Sequence, residues 1–175
     1  MFDEFIEENI NITDIADVIF EYNEMEISAL KQMAHMRSDF KVRSNFKEGT
    51  LSSKFDGNYH ERSSTAHYMG VAGEYAVAQA VNGFFDPMHK MYGDKNDPDV
   101  VVGFSGEIKI AVKTTKYSPP IFKISNLDLI KKATHMALCC FQDPKIRIAW
   151  IISKEDFMKK LYRRNFGYGN HYCVN

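Results

Sequence analysis

Only three cysteines, one tryptophan and five prolines occur in the 175 residues. Cys139 and Cys140 are adjacent and Cys173 stands apart, an odd number whose spacing fits neither a disulfide framework nor a zinc site. Buried, reduced thiols in a cytoplasmic setting are expected instead. Apolar runs are also short: none approaches the roughly 18 residues a membrane helix needs, and the amino terminus carries acids where a secretory leader carries bases. Neither a membrane segment nor a secretion signal is expected. Repeats and low-complexity tracts are absent too. The rest is ordinary for a folded chain, 45% hydrophobic and 26% charged, and long enough for one domain with a full core.

The sharpest shortage is of positive charge at the start. Residues 1–30 contain nine acids (Asp3, Glu4, Glu7, Glu8, Asp14, Asp17, Glu21, Glu24, Glu26) and no lysine or arginine. Against totals of 22 basic and 23 acidic residues, this leaves 22 basic and 14 acidic in residues 31–175, so the leader is −9 and the body +8. A basic body suits a polyanion partner, because phosphate neutralisation dominates such affinities. The acidic leader could pack on the core, pair with a second subunit, or cover a basic cleft. As a mimic of nucleic acid it could also block a partner.

Periodicity divides the chain into elements. Apolar residues from Phe5 to Phe20 recur near a 3.6 period, which predicts helical structure over residues 3–35, with Asn11 or Thr13 able to cap a second helix. Residues 37–65 are polar and rich in Gly, Ser and Asn, with Arg37, Lys41, Arg43, Lys47, Lys54 and Arg62 among Phe40, Phe46, Phe55 and Tyr59. That mixture suits a long surface connection or a loop touching nucleic acid. Ser63-Ser64-Thr65 can cap a helix running to about Val81 and stopped by Asn82-Gly83. Its alanines, with Gly70 and Gly73, make it thin enough to approach a sheet closely, and Glu74 stands in its middle. Strands are expected at Phe84–Met91, Asp99–Gly103, Glu107–Thr115, Met136–Phe141 and Lys145–Ile152, the strand ended by Ser118-Pro119-Pro120 resuming at Ile121–Ile124. Ser125 is expected to cap a short helix over Leu127–Thr134. Ser153 opens a last helix to about Arg164, and the tail from Gly167 is a loop or short edge strand. Two segments result: an extension and connection over 1–62, and a folded domain over 63–175.

The chemistry concentrates in residues 98–116. Two β-branched strands flank a short loop with a glycine at each shoulder. If the loop is Phe104-Ser105-Gly106, with Gly106 in the left-handed region, Val101 faces Lys109 and Asp99 faces Ala111. Alternation then puts Lys113 on the face of Ala111. A second acid-x-Lys exists at Glu107-Ile108-Lys109. In this register Glu107 lies four residues from the partner of Asp99, about 13 Å at about 3.4 Å per residue. It is therefore too far to share a metal held at about 2–2.6 Å.

Pro98-Asp99, a hairpin, and Val112-Lys113 at the signature spacing resemble the PD-(D/E)XK, or restriction-endonuclease-like, nuclease superfamily. One position departs: Ala111 stands where the family has Asp or Glu. The order of elements over residues 63–155 is also similar to the family's. The resemblance implies an α/β fold with an αβββαβ core, a central mixed sheet flanked by helices, here with an acidic helical N-terminal extension.

It also implies metal-dependent DNA endonuclease chemistry. Glu74, Asp99 and the acid missing at Ala111 would hold Mg²⁺ or Mn²⁺ with the Val112 carbonyl, and Lys113 would orient or help deprotonate the attacking water. Thr114, Thr115, Lys116, Lys159, Lys160, Arg163 and Arg164 become candidates for backbone contacts. The implied partner is nucleic acid, DNA first; cutting both strands would favour a homodimer, and no membrane is involved. With Ala111 the expectation is an inactive nuclease, by substitution of an active site or by natural degeneracy into a binding module. Alanine is a poor strand former among the polar face neighbours Glu107, Lys109, Lys113 and Thr115. Packing is therefore not expected to require it, and an acid restored there is expected to restore cleavage.

Overall fold

The structure, a computed structural model, describes residues 11–47, 58–86, 97–103, 106–167 and 169–175, the side chains of 41–47 and 58–64 excepted. Its elements are β1 (Val18–Glu21), α1 (Glu24–Lys47), α2 (Asn58–Ala80), β2 (Phe84–Phe85), β3 (Val100–Val102), β4 (Ile108–Thr115), β5 (Phe122–Ile124), β6 (His135–Gln142), β7 (Lys145–Ser153), α3 (Lys154–Lys160), β8 (Tyr162–Asn165) and β9 (Asn170–Val174). Among the described residues a six-stranded sheet runs β1-β7-β6-β4-β3-β2 and a three-stranded one β5-β9-β8. The β4–β6 step is parallel and the other neighbours are antiparallel. This is a mixed α/β fold whose mixed sheet is flanked by helices.

The start of the chain differs from the periodic reading. Ile12–Asp14 is a 3-10 turn, and Val18–Glu21 is a strand paired with β7. The Ile15 carbonyl accepts from Ile151 N–H, and Asp17 takes φ of 57°, which ends any helical run. Strand pairing with a distant segment has overridden a local 3.6 period. Helix α1 begins only after Asn23, whose side chain accepts from the Met25 and Glu26 N–H groups while Glu26 Oε2 accepts from Asn23 N–H, a reciprocal cap. The helix then runs through the first part of the supposed connection. Buried Arg37 and Ser38 tie it to the rest of the fold. The compositional boundary at residue 62 falls inside α2, and β1 belongs to the main sheet. Residues 1–10 and 48–57, including Asp3, Glu4, Glu7 and Glu8 of the acidic leader, lie outside the described residues.

Helix α2 ends as expected: Asn82 is left-handed at φ 49°, and Gly83 N–H donates to the Ala78 carbonyl at 2.8 Å. The close approach is real as well. A Cβ on Gly73 would lie 2.0 Å from Thr114 Oγ1, so only glycine lets α2 sit this near β4. One core forms between this helix pair and the sheet, around Val71, Val77, Val100, Ile110 and Ile148. A second forms on the opposite face, where Phe122, Ile124, Met136, Leu138, Phe157 and Val174 meet. Each large side chain so buried contributes about 1.5–3 kcal/mol of transfer free energy.

Strands β6 and β7 match expectation within a residue or two. The expected helix at Leu127–Thr134 is only a 3-10 turn over Leu127–Ile130, capped by Asn126 instead of Ser125. Phe122–Ile124 does not resume β4 but crosses to the second sheet. Ser153 caps α3 as expected, yet the helix stops at Lys160, so Arg163 and Arg164 lie on a strand. The tail forms β9, the central strand of its sheet. Of the expected strand Phe84–Met91, only Phe84–Phe85 is described as strand, and residues 87–91 lie outside the described residues. Cys139, Cys140 and Cys173 are buried and unpaired.

Candidate nucleic-acid interface

The hairpin register is the one its loop geometry requires: Val100, Val101 and Val102 pair with Ile110, Lys109 and Ile108. Gly106 has φ of 65° and donates to the Gly103 carbonyl at 3.2 Å. Lys109 therefore stands opposite Val101, and Asp99 lies at the Ala111–Lys113 end. There Asp99 N–H donates to Ile110 O at 2.9 Å, and Asp99 Oδ2 accepts from Val112 N–H at 2.7 Å. The carboxylate thus bonds a backbone donor of β4 beyond the last strand pair.

Glu74 is elsewhere. It is buried on α2, and both of its oxygens accept from the Arg37 guanidinium, at 3.2 and 2.6 Å. Gly73, beside it, faces Thr114 and Cys139, so Glu74 belongs to the α2 side of the sheet. Ala111 points to the other side, 8% exposed in the cluster of Phe122, Ile124, Met136, Leu138, Phe157 and Val174. Alternation along β4 puts exposed Lys113 on that side too. The structure brings Asp99 to the strand of Ala111 and Lys113, and does not bring Glu74 to their face. Among the described residues, no three His, Cys, Asp or Glu side chains are grouped to hold a metal ion. Of the ligands expected for Mg²⁺, Glu74 is held by an arginine, and Ala111, which offers no side-chain oxygen, lies in an apolar cluster.

The expected polar neighbourhood of Ala111 is accordingly corrected. Its own strand supplies polar flanks, but it belongs to an apolar cluster built by side chains of β5, β6, α3 and β9. An apolar side chain suits this setting.

The expected backbone-contact residues divide into two groups. Thr114 Oγ1 is buried against Gly73 with no hydrogen-bond partner among the described residues, and Thr115 is buried with its hydroxyl accepting from Tyr117 N–H. Both are internal. Lys116, Lys159, Lys160, Arg163 and Arg164 are exposed, although Lys159 pairs with Glu155 and Asp156.

Sequence reasoning missed the company that Arg163 and Arg164 keep. The Arg164 guanidinium lies 5.1 Å and the Lys123 ammonium 4.9 Å from the centroid of Phe166, while Arg163 lies 5.3 Å from that of Tyr172. A signal for this surface was present in the charge pattern. Residues 108–127 hold Lys109, Lys113, Lys116 and Lys123, residues 157–175 hold Lys159, Lys160, Arg163 and Arg164, and neither segment has an acid. The rest of residues 31–175 is balanced, so these two segments carry the whole +8. They meet where β5 pairs with β9.

A separate open groove of about 680 Å³ lies between α1 and α2, lined by Lys31, His35, Thr65 and Tyr68 among others. Burial and the Asp143 carboxylate push the Tyr68 hydroxyl up to about 12, so it stays protonated at neutral pH. Comparison with known proteins finds no family model that matches the chain, and no match among curated proteins or solved structures. No helix among the described residues is long and apolar enough to cross a membrane.

Proposed function

We propose that this chain is a nucleic-acid-binding protein on a nuclease-like mixed α/β scaffold, which holds strands without cutting them. The observation that carries the reading is the position of the basic excess. Eight cations and no acid occupy two segments that pair through β5 and β9, whereas the remaining charges of the body cancel. Such a field is what phosphate neutralisation requires.

Absence of cleavage follows from the hairpin. Asp99 and Lys113 keep positions that resemble the nuclease signature, but Ala111 supplies no ligand and its surroundings are apolar. Glu74 is engaged by Arg37 inside the α1–α2 packing. Two carboxylates on different sides of a sheet do not make an octahedral Mg²⁺ site. Buried, unpaired thiols suit a reducing compartment, and we place the protein in the cytoplasm.

The test is incubation of the full chain with labelled single-stranded and duplex DNA and RNA, with Mg²⁺ or Mn²⁺ and with EDTA. Retarded but intact nucleic acid is expected. EDTA-sensitive cleavage would restore the active nuclease reading, and failure to retard any probe at low salt would end the nucleic-acid reading altogether.

A further inference from the structure

We propose that the outer face of the β5–β9–β8 sheet is the strand-binding surface, and that its ligand is single-stranded nucleic acid. This rests on the nucleic-acid reading and adds a location, a ligand class and named residues. The cross-strand register fixes which side chains share the face. Lys123 and Tyr162 both pair with Cys173, and Arg164 pairs with His171. Alternation puts Lys123, Tyr162, Arg164, His171 and Cys173 on one side. Phe122, Ile124 and Val174 lie on the other, in the core with Ala111.

Rings and cations interleave on this face. Lys123 and Arg164 are both placed over Phe166, and the His171 ring meets Phe166 edge-on, centroids 5.7 Å apart at 82°. Cys173 shares this face: burial raises its pKa, while Arg164 and Lys123 both act to lower it. Arg147–Asp17, Lys145–Glu21 and Lys132–Asp97 are cations matched to acids on other parts of the surface, and Lys159 at the start of the second segment pairs with Glu155 and Asp156. Here the two segments that build the face contribute no acid at all. Cations fixed over Phe166 lose little freedom when they take a phosphate, and Tyr162 and His171, on the same face, are the rings left for unpaired bases. Bases within a duplex are stacked on one another and cannot use those rings, so the single strand is the ligand that engages both features.

Fluorescence anisotropy with a labelled oligothymidylate of about 15 nucleotides tests this at low salt. The Lys123→Ala/Arg164→Ala double variant should lose at least about tenfold in affinity. Its salt slope should fall by about 1.4, which is two contacts at about 0.7 each for a single strand. Phe166→Ala should lose affinity as well. A Lys131→Ala/Lys145→Ala control, its charges lying outside these segments, should stay within about twofold of the parent. The unaltered protein gives an independent reading: photocrosslinking to an iododeoxyuridine oligonucleotide should label residues 162–175. Unchanged binding by a folded double variant, crosslinks confined to other segments, or tighter binding of the matched duplex would each overturn the assignment and leave nucleic-acid binding standing. Binding of phosphatidylserine vesicles but of no oligonucleotide by the unaltered protein would overturn both.

Discussion

Asp99 Oδ2 accepts a hydrogen bond from the Val112 N–H at 2.7 Å, so a side chain occupies the place a ladder carbonyl would take past the end of β3. The resemblance casts Asp99 as a metal ligand. The contact gives it a local structural role, because it satisfies a donor of β4 where the neighbouring strand has ended. Asp99→Ala should therefore destabilise the fold by about 1.5–3 kcal/mol, the range for a hydrogen bond to a charged group. Asp99→Asn should recover part of that. Urea titration of the three proteins measures it, and equal midpoints would show that the bond contributes nothing.

The buried Arg37–Glu74 pair makes the second prediction. Both side chains are 6% exposed, and removal of one leaves the other charge in the core. Glu74→Ala should cost about 3–5 kcal/mol, while Arg37→Met/Glu74→Leu should recover most of it. A catalytic glutamate freed from structural duty would show the reverse: little change in stability on truncation.

At position 111 the structure reverses the expectation drawn from strand alternation. Ala111→Glu places a carboxylate among Phe122, Met136, Leu138 and Phe157. Desolvation should either lower stability by several kcal/mol or raise the carboxyl pKa far enough to keep it neutral. Neither outcome produces a metal ligand. Thermal melts and a Mg²⁺ or Mn²⁺ cleavage assay of the Ala111→Glu and Ala111→Asp proteins should show lower stability and no EDTA-sensitive cutting.

His135 offers a pH test. Burial lowers its pKa from the ordinary 6.5. The unfolded chain then binds the proton more readily than the folded one, so this group's stabilisation is complete above pH 6.5 and is lost as pH falls towards the folded value. Comparison with His135→Gln isolates it from the other histidines. The native protein should lose more stability than the variant between neutral pH and about pH 5. Parallel curves would assign the pH dependence to other groups.

Much of this was legible where the deciding physics is local. The hairpin register followed from a glycine-flanked loop and period-2 alternation, and Asn82-Gly83 and Ser153 marked helix ends through their own backbone and cap chemistry. The remainder depends on partners remote in sequence. Val18–Glu21 reads as helix until β7 offers it a ladder. Arg163 and Arg164 read as helical until β9 pairs with β8. The same limit applies to the site. The strand around Ala111 says polar, whereas Phe122, Phe157 and Val174, brought by other elements, say apolar. Composition nevertheless held an unused clue, the acid-free stretches 108–127 and 157–175.

The most direct measurement of the central claim is the affinity of the full chain for single-stranded nucleic acid as a function of salt. Phosphate contacts from Lys123 and Arg164 release about 0.7 counterion each, so log K should fall against log salt at least as steeply as a slope of about −1.4. The nucleic acid should be recovered intact in the presence of Mg²⁺. Binding that is undetectable at low salt, or that does not weaken as salt rises, would contradict the account.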